Sequence, residues 1–276
     1  MECTITPIIT YACETWNLNS GEEKEINAIM DNIIKRILMM PQRGTTRESL
    51  YIETGLLDPT TIQHKQRIMM NYRMTYSTNQ RLRKLATSDE ESLWKTLVET
   101  SCEKLQIQPA ELTEDKWIVK SKVKEKTHEY FKTTLENEAL EKSKVQHLLN
   151  GKDDWKPGNR APYLNKLTRK DCNTIFRTRT RMIDVKNNFR SKYPNLSCRA
   201  CKNEPETQEH ILNECPIIHP TNDTKVTTRD VFNEAPDDLK VTAKKIRASL
   251  DKLDELDCTA RQGNQVAPPC DQGCTQ

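Results

Sequence analysis

Apolar residues along this chain recur at helical spacing far more often than in alternation. Ile26, Ile29, Met30, Ile33, Ile37 and Met40 follow an i, i+3, i+4, i+7 stripe and predict a helix over 22–40, ended by Pro41. Thr45-Thr46-Arg47-Glu48 has capping-box spacing and Gly55 supplies a stop, so a short helix is expected between them. Asp58-Pro59 sets a cap residue and a first-turn proline before a third helix, with Ile62, Met69 and Tyr72 on one side. Ser88 to Glu91 repeats the capping-box spacing and opens a helix to about Gln106, with Leu93, Trp94, Leu97 and Val98 inward. Residues 111–149 read as one long helix or two, rich in mixed charge. The apolar stretch 4–16 is too short for periodicity to separate a strand from a buried helical turn.

Gly151, Pro157, Gly158 and Pro162 mark 151–167 as a linker. Thr168 then caps a helix with Cys172, Ile175, Phe176, Met182 and Ile183 on its apolar side. Leu239, Ala243, Ile246, Leu250 and Leu253 repeat at 4-3-4-3, a heptad-like stripe on a terminal helix that offers a surface to a protein partner. The polar tail 258–276, with Pro268-Pro269, Cys258, Cys270 and Cys274, is expected to be disordered. The expected segments are therefore 1–80, a charged helical region at 81–150, the linker, 168–220, 221–257 and the tail. The fold class is mainly α.

Composition supports this. Of 276 residues only 35% are hydrophobic, 5% aromatic and seven glycine, while 30% are charged, which suits long charged helices with narrow apolar stripes better than a sheet. The formal net charge is only +3, but it is unevenly placed. Between 160 and 202 twelve basic residues face only Asp171 and Asp184, a local charge of +10 that leaves −7 for the rest. Lys170, Arg177 and Arg181 are spaced to share one helix face, and Arg179, Lys186 and Arg190 add to the patch. Such an unopposed cationic face suits the phosphates of RNA or DNA. No secretory signal opens the chain, and no apolar run is long enough to span a bilayer, so the expectation is a nuclear or cytoplasmic protein without a membrane partner.

The sharpest chemistry lies in Cys198-x2-Cys201-x8-His210-x4-Cys215, enough ligands to close one tetrahedral zinc site. With ten cysteines and five histidines in the chain, chance supplies such an array roughly 0.01 times once tolerable spacings are counted. Lys202, Asn203, Glu204, Glu206, Gln208 and Glu209 leave little apolar surface to bury thiols, so the segment needs a metal to hold it. His219, between Pro216 and Pro220, is a weaker substitute ligand than His210. Acidic catalysis finds no such support. Asp153-Asp154 and Asp237-Asp238 suit loop solvation and capping, and His64, His128 and His147 stand alone on charged helices, where exposure is expected. No phosphate loop or nucleophile elbow occurs, so no residue is assigned a catalytic role.

These motifs also have a familiar order. Ile175-Phe176-Arg177-Thr178-Arg179-Thr180-Arg181-Met182, then Val185-Lys186-Asn187-Asn188-Phe189, then the Cys/His array ending Cys215-Pro216, resemble the C-terminal region of non-LTR (LINE-type) retrotransposon reverse transcriptases. Pro7-Ile8-Ile9-Thr10-Tyr11-Ala12-Cys13-Glu14-Thr15-Trp16 resembles the segment after that family's polymerase palm. Ile33-Ile34-Lys35-Arg36-Ile37-Leu38 and Leu50-Tyr51-Ile52-Glu53-Thr54-Gly55 resemble its thumb helices. The resemblance covers about residues 5 to 220. It implies a thumb-like region at 1–80, a basic helix with a CCHC zinc knuckle at 168–220, and a parent enzyme that copies RNA into DNA. The family's aromatic-Ala-Asp-Asp turn is missing from this sequence, so the expectation is a fragment that binds nucleic acid without polymerase activity. The alternative is a zinc-dependent protein-interaction module derived from a retroelement.

Overall fold

The computed structural model describes residues 5–42, 44–87, 92–113, 115–152 and 155–263. It is built of helices, with no strand among the described residues, and divides into two compact units between Asn165 and Lys166. No described helix is long and apolar enough to cross a membrane. Asp153-Asp154, the Ser88–Glu91 box and the tail from 264 onward, with Cys270 and Cys274, lie outside the described residues.

The first unit contains α1 (Ile5–Ile9), α2 (Ser20–Ile37), α3 (Arg47–Thr54), α4 (Pro59–Thr75), α5 (Gln80–Thr87), α6 (Leu93–Leu105), α7 (Lys116–Ala139) and α8 (Ser143–Asn150). The ambiguous stretch near the N-terminus is helical, as α1 and a 3-10 turn at Cys13–Thr15. In α2 the buried line runs through Met30 and Ile34 and leaves Ile29 exposed, a rotation of the expected stripe. The Thr45–Glu48 capping box does not form. Thr46 is the cap residue but its hydroxyl meets Ser49 Oγ at 2.6 Å, while Glu48 is buried against Lys142 at 2.8 Å. Asp58 and Pro59 start α4 as expected, with Asp58 accepting from Thr61 N. Ser92 caps α6, accepting from Lys95 N, and Leu93 points to solvent.

The central element is α7. Val119, Val123, Thr127, Phe131, Leu135 and Ala139 are buried in a strict four-residue repeat, one line down the helix. Its first half packs with Ile68, Met69, Tyr72, Val98, Cys102 and Leu105 of α4 and α6. Its second half meets α3, where Tyr51 and Phe131 stack edge to face at 5.5 Å.

The segment expected to be a linker is built into this unit. Trp155, Ala161 and Tyr163 are buried, Gly158 N donates to Gly55 O and Ala161 N to Glu53 O. Gly55 ends α3 at φ 66°, and a Cβ there would stand 2.5 Å from Asn159 O, so only glycine fits.

His64 is buried, not exposed. Its Nε2 accepts from Lys104 Nζ at 3.2 Å, which leaves the ring proton on Nδ1 to donate to Ser101 Oγ at 3.0 Å. Burial, then the charges of Lys104 and Arg67, push its pKa down from 6.5 to about 3. The depressed value means that the unfolded chain takes up a proton below pH 6.5 that the folded chain refuses. Stability is therefore full above pH 6.5 and declines on acidification toward pH 3. Denaturant melts at pH 7.5 and 5.5 should differ by about 1 kcal/mol more in the natural chain than in His64→Gln. An equal pH dependence of the two would remove this role.

The second unit contains α10 (Arg169–Arg179), α11 (Thr228–Phe232) and α12 (Pro236–Gly263), preceded by the short α9 (Tyr163–Lys166) at the boundary. Thr168 caps α10 through Asp171 N, as the sequence implies. Leu239, Ala243, Ile246 and Leu253 of α12 are all fully buried, and α12 packs on α10, α11 and a turn at 210–214. Four of the five residues of the heptad-like stripe are therefore spent on the unit's own core, and Leu250 is half-buried.

Candidate metal centre

Two local structures bring the four candidate ligands together. A narrow hairpin, with Ser197 and Pro205 bridged antiparallel, is closed by Cys198 N to Glu204 O and Glu206 N to Leu196 O, both 2.7 Å. Cys198 and Cys201 sit in its tip, where Lys202 adopts φ 62° and its N–H returns to Cys198 O. The other pair comes from a single wide turn, His210–Glu214, in which Cys215 N donates to His210 O at 2.7 Å. A hydrogen bond spanning five residues makes a π-type turn, and residues five apart then share a face. This explains how His210-x4-Cys215, a poor spacing for an α-helix, works here. Thr207 fixes the start of the turn, its hydroxyl accepting from His210 N at 3.0 Å.

The sulfurs of Cys198, Cys201 and Cys215 and a ring nitrogen of His210 all lie within 4.8 Å of one another, close enough to share one metal ion. Cys201 Sγ is 3.3 Å from His210 Nε2, and Cys198 Sγ is 4.0 Å from Cys215 Sγ. Tetrahedral zinc–thiolate bonds place two sulfurs about 3.8 Å apart. Burial pushes the Cys198 thiol up to about 12, only partly offset by the backbone N–H groups of Cys201 and Ala200. Burial acts on Cys201 too, but the N–H groups of Asn203 and Glu204 and the His210 ring outweigh it and bring that thiol down to about 7. The hairpin tip thus aims backbone dipoles at sulfur, which suits thiolates. His210 Nδ1, buried and without a well-aligned hydrogen bond, lies 3.3 Å from Glu204 Oε2, so a carboxylate stands behind the ligand ring. His219 is not a ligand. Its Nε2 lies 2.7 Å from Ile211 O and its Nδ1 2.9 Å from Thr224 Oγ1.

The basic residues do not form one helix face. α10 stops at Arg179, and Arg181 takes φ 53° beyond it, where it pairs with Glu209 at 2.5 Å. Arg177 is half-buried and its Nε donates to Met182 O, just beyond the helix, at 3.0 Å. Arg179 is 1% exposed: its guanidinium donates to Val231 O and Asn233 O and stacks on Phe232, so it is a core residue out of reach of a phosphate. Lys170 is exposed on α10. Lys186 and Arg190 lie on a turn at 186–193, with Lys192 over the Tyr193 ring, and this turn is fastened to the hairpin. Lys186 Nζ donates to Ser197 O, Lys186 N to the Glu206 carboxylate and Asn187 N to Glu206 O.

Glu206 is the residue that spacing arguments missed. It is fully buried, and its carboxylate accepts from Arg199 N at 2.8 Å and from the Arg199 guanidinium at 2.8–3.0 Å. Arg199 also donates to Asp184 O at 2.7 Å. A glutamate in a polar hairpin gives no sequence signal of burial; its distance from Arg199 matters only once the hairpin closes.

No protein-family model, curated protein or solved structure matches this chain.

Proposed function

We propose that the second unit is a zinc-held nucleic-acid-binding module of a non-LTR reverse-transcriptase type, with no polymerase activity of its own. Three sulfurs and one imidazole nitrogen suit tetrahedral zinc above harder cations. The observation that carries the reading is Glu206, which joins the cysteine hairpin to the turn bearing Lys186 and Arg190. A metal that closes the hairpin thereby fixes the cationic turn. Lys170, Arg190 and Lys192 are the exposed cations of this unit best suited to phosphate oxygens.

The test is fluorescence anisotropy of the full chain against labelled RNA and DNA over a salt series. Lys170→Ala/Arg190→Ala should make the log–log slope shallower by roughly 1.4 on single strands or 1.8 on duplex DNA, with similar weakening for all sequences. Primer extension with magnesium should show no incorporation. Binding by this unit that is independent of salt would favour the protein-interaction alternative instead.

A further inference from the structure

We propose that the first unit carries a groove for single-stranded nucleic acid between α4 and α7, distinct from the metal centre and its basic turn. Two adjoining cavities of about 640 Å3 each run along this seam and share Lys65 and Gln66. Lys116, Lys120 and Lys124 line them from α7, one per helical turn and about 6 Å apart. Lys65 and Arg73 line them from α4, and Lys156 from the loop before Gly158. No Asp or Glu lines either cavity, and none of these six cations has a carboxylate partner among the described residues.

The groove has a built wall. Gly158, at φ +87°, carries the loop so close to His128 that a Cβ would stand 3.0 Å from its ring. Inside, the like charges act on one another: Lys65 is held below the usual lysine range by burial, then by Lys124 and Lys120. His128 is lowered by burial, then by Lys124 and Lys65. A fold that leaves such repulsion uncompensated presents a strong attraction for a polyanion.

The rings decide which polyanion. Trp117 lines the second cavity, is 68% exposed, and has Lys120 Nζ 5.4 Å from its centroid. Tyr76, 53% exposed, lies against Tyr72 at 4.9 Å between centroids in the same cavity. Cations along a channel with aromatic faces at hand are what an unpaired strand uses, phosphates on the lysines and bases on the rings. A duplex keeps its bases to itself, and an acidic peptide has none to stack.

The experiment is anisotropy of the full chain with short labelled single-stranded oligonucleotides over a salt series. Lys65→Ala/Lys120→Ala/Lys124→Ala should weaken binding at least roughly tenfold and make the log–log slope shallower by about 2. The matching triple lysine-to-arginine variant should bind nearly as the natural chain does, which separates lost charge from lost folding. Trp117→Ala should weaken single-strand binding about fivefold or more with the slope unchanged. These differences should persist after zinc chelation and in Lys170→Ala/Arg190→Ala, so the groove stands or falls separately from the metal-held module. An unchanged slope in the alanine triple, no effect of Trp117→Ala, or equal affinity for a duplex or a glutamate peptide would overturn the proposal.

Discussion

Stripping zinc from the chain, or replacing Cys198 and Cys215 together by serine, is expected to unfold the cysteine hairpin and the turn at 210–214. Metal analysis should find one zinc per natural chain and none in the double variant. The expected effect is large because the hairpin is polar and has few apolar contacts of its own, whereas the π-type turn buries only Ile211 and Leu212 among its apolar residues. The hairpin tip holds Lys202, Asn203, Glu204 and Pro205, all exposed. Structural zinc in modules the size of this hairpin and turn contributes roughly 10–16 kcal/mol of apparent binding free energy at neutral pH, more than so small a module holds by itself. The other buried thiols cannot substitute. Cys13, Cys102 and Cys172 are pushed up to about 12, 11 and 11, first by burial in each case, and none lies in a ligand cluster among the described residues. The core around α7 contains no residue of the metal centre, so helical signal from the first unit should survive chelation. Zinc content unchanged in the double variant would refute the ligand assignment.

What the sequence revealed and what it hid divide along contact distance. The clustering of Cys198, Cys201, His210 and Cys215 was legible because its geometry is local: a two-residue gap makes the hairpin tip, and one turn carries the other pair. The same holds for Asp58-Pro59 and Gly55, whose roles are fixed within a few residues. Arg179 was misread because a helical wheel counts only neighbours in sequence, whereas its carbonyl partners Val231 and Asn233 are 52 and 54 residues away. His64 likewise depends on Ser101, 37 residues distant. The face shared by Arg177 and Arg181 failed for a backbone reason: the chain leaves the helix between them. A signal for the α4–α7 groove was present, since Lys116, Lys120 and Lys124 repeat every four residues. Mixed charge on the other faces of the same helix concealed it.

Glu206→Ala is expected to be the most damaging single substitution in the second unit outside the ligands. The change removes a carboxylate that accepts from Arg199 N, from the Arg199 guanidinium and from Lys186 N. It leaves Arg199, 8% exposed, with its backbone bond to Asp184 O and a 3.5 Å approach to the exposed Asp254. Breaking a buried pair from one side costs about 3–5 kcal/mol, because the surviving charge stays desolvated. Zinc affinity should fall as well, by roughly 10–100-fold, since the hairpin that presents Cys198 and Cys201 is held by this carboxylate. Denaturant melts and competition against a zinc chelator measure the two effects. A double-mutant cycle identifies the cause: Arg199→Met/Glu206→Leu, which removes both charges, should be less destabilised than Glu206→Ala alone. If the double variant is instead worse by the sum of the two single changes, the pair is not coupled and Glu206 acts only through its bonds to the backbone.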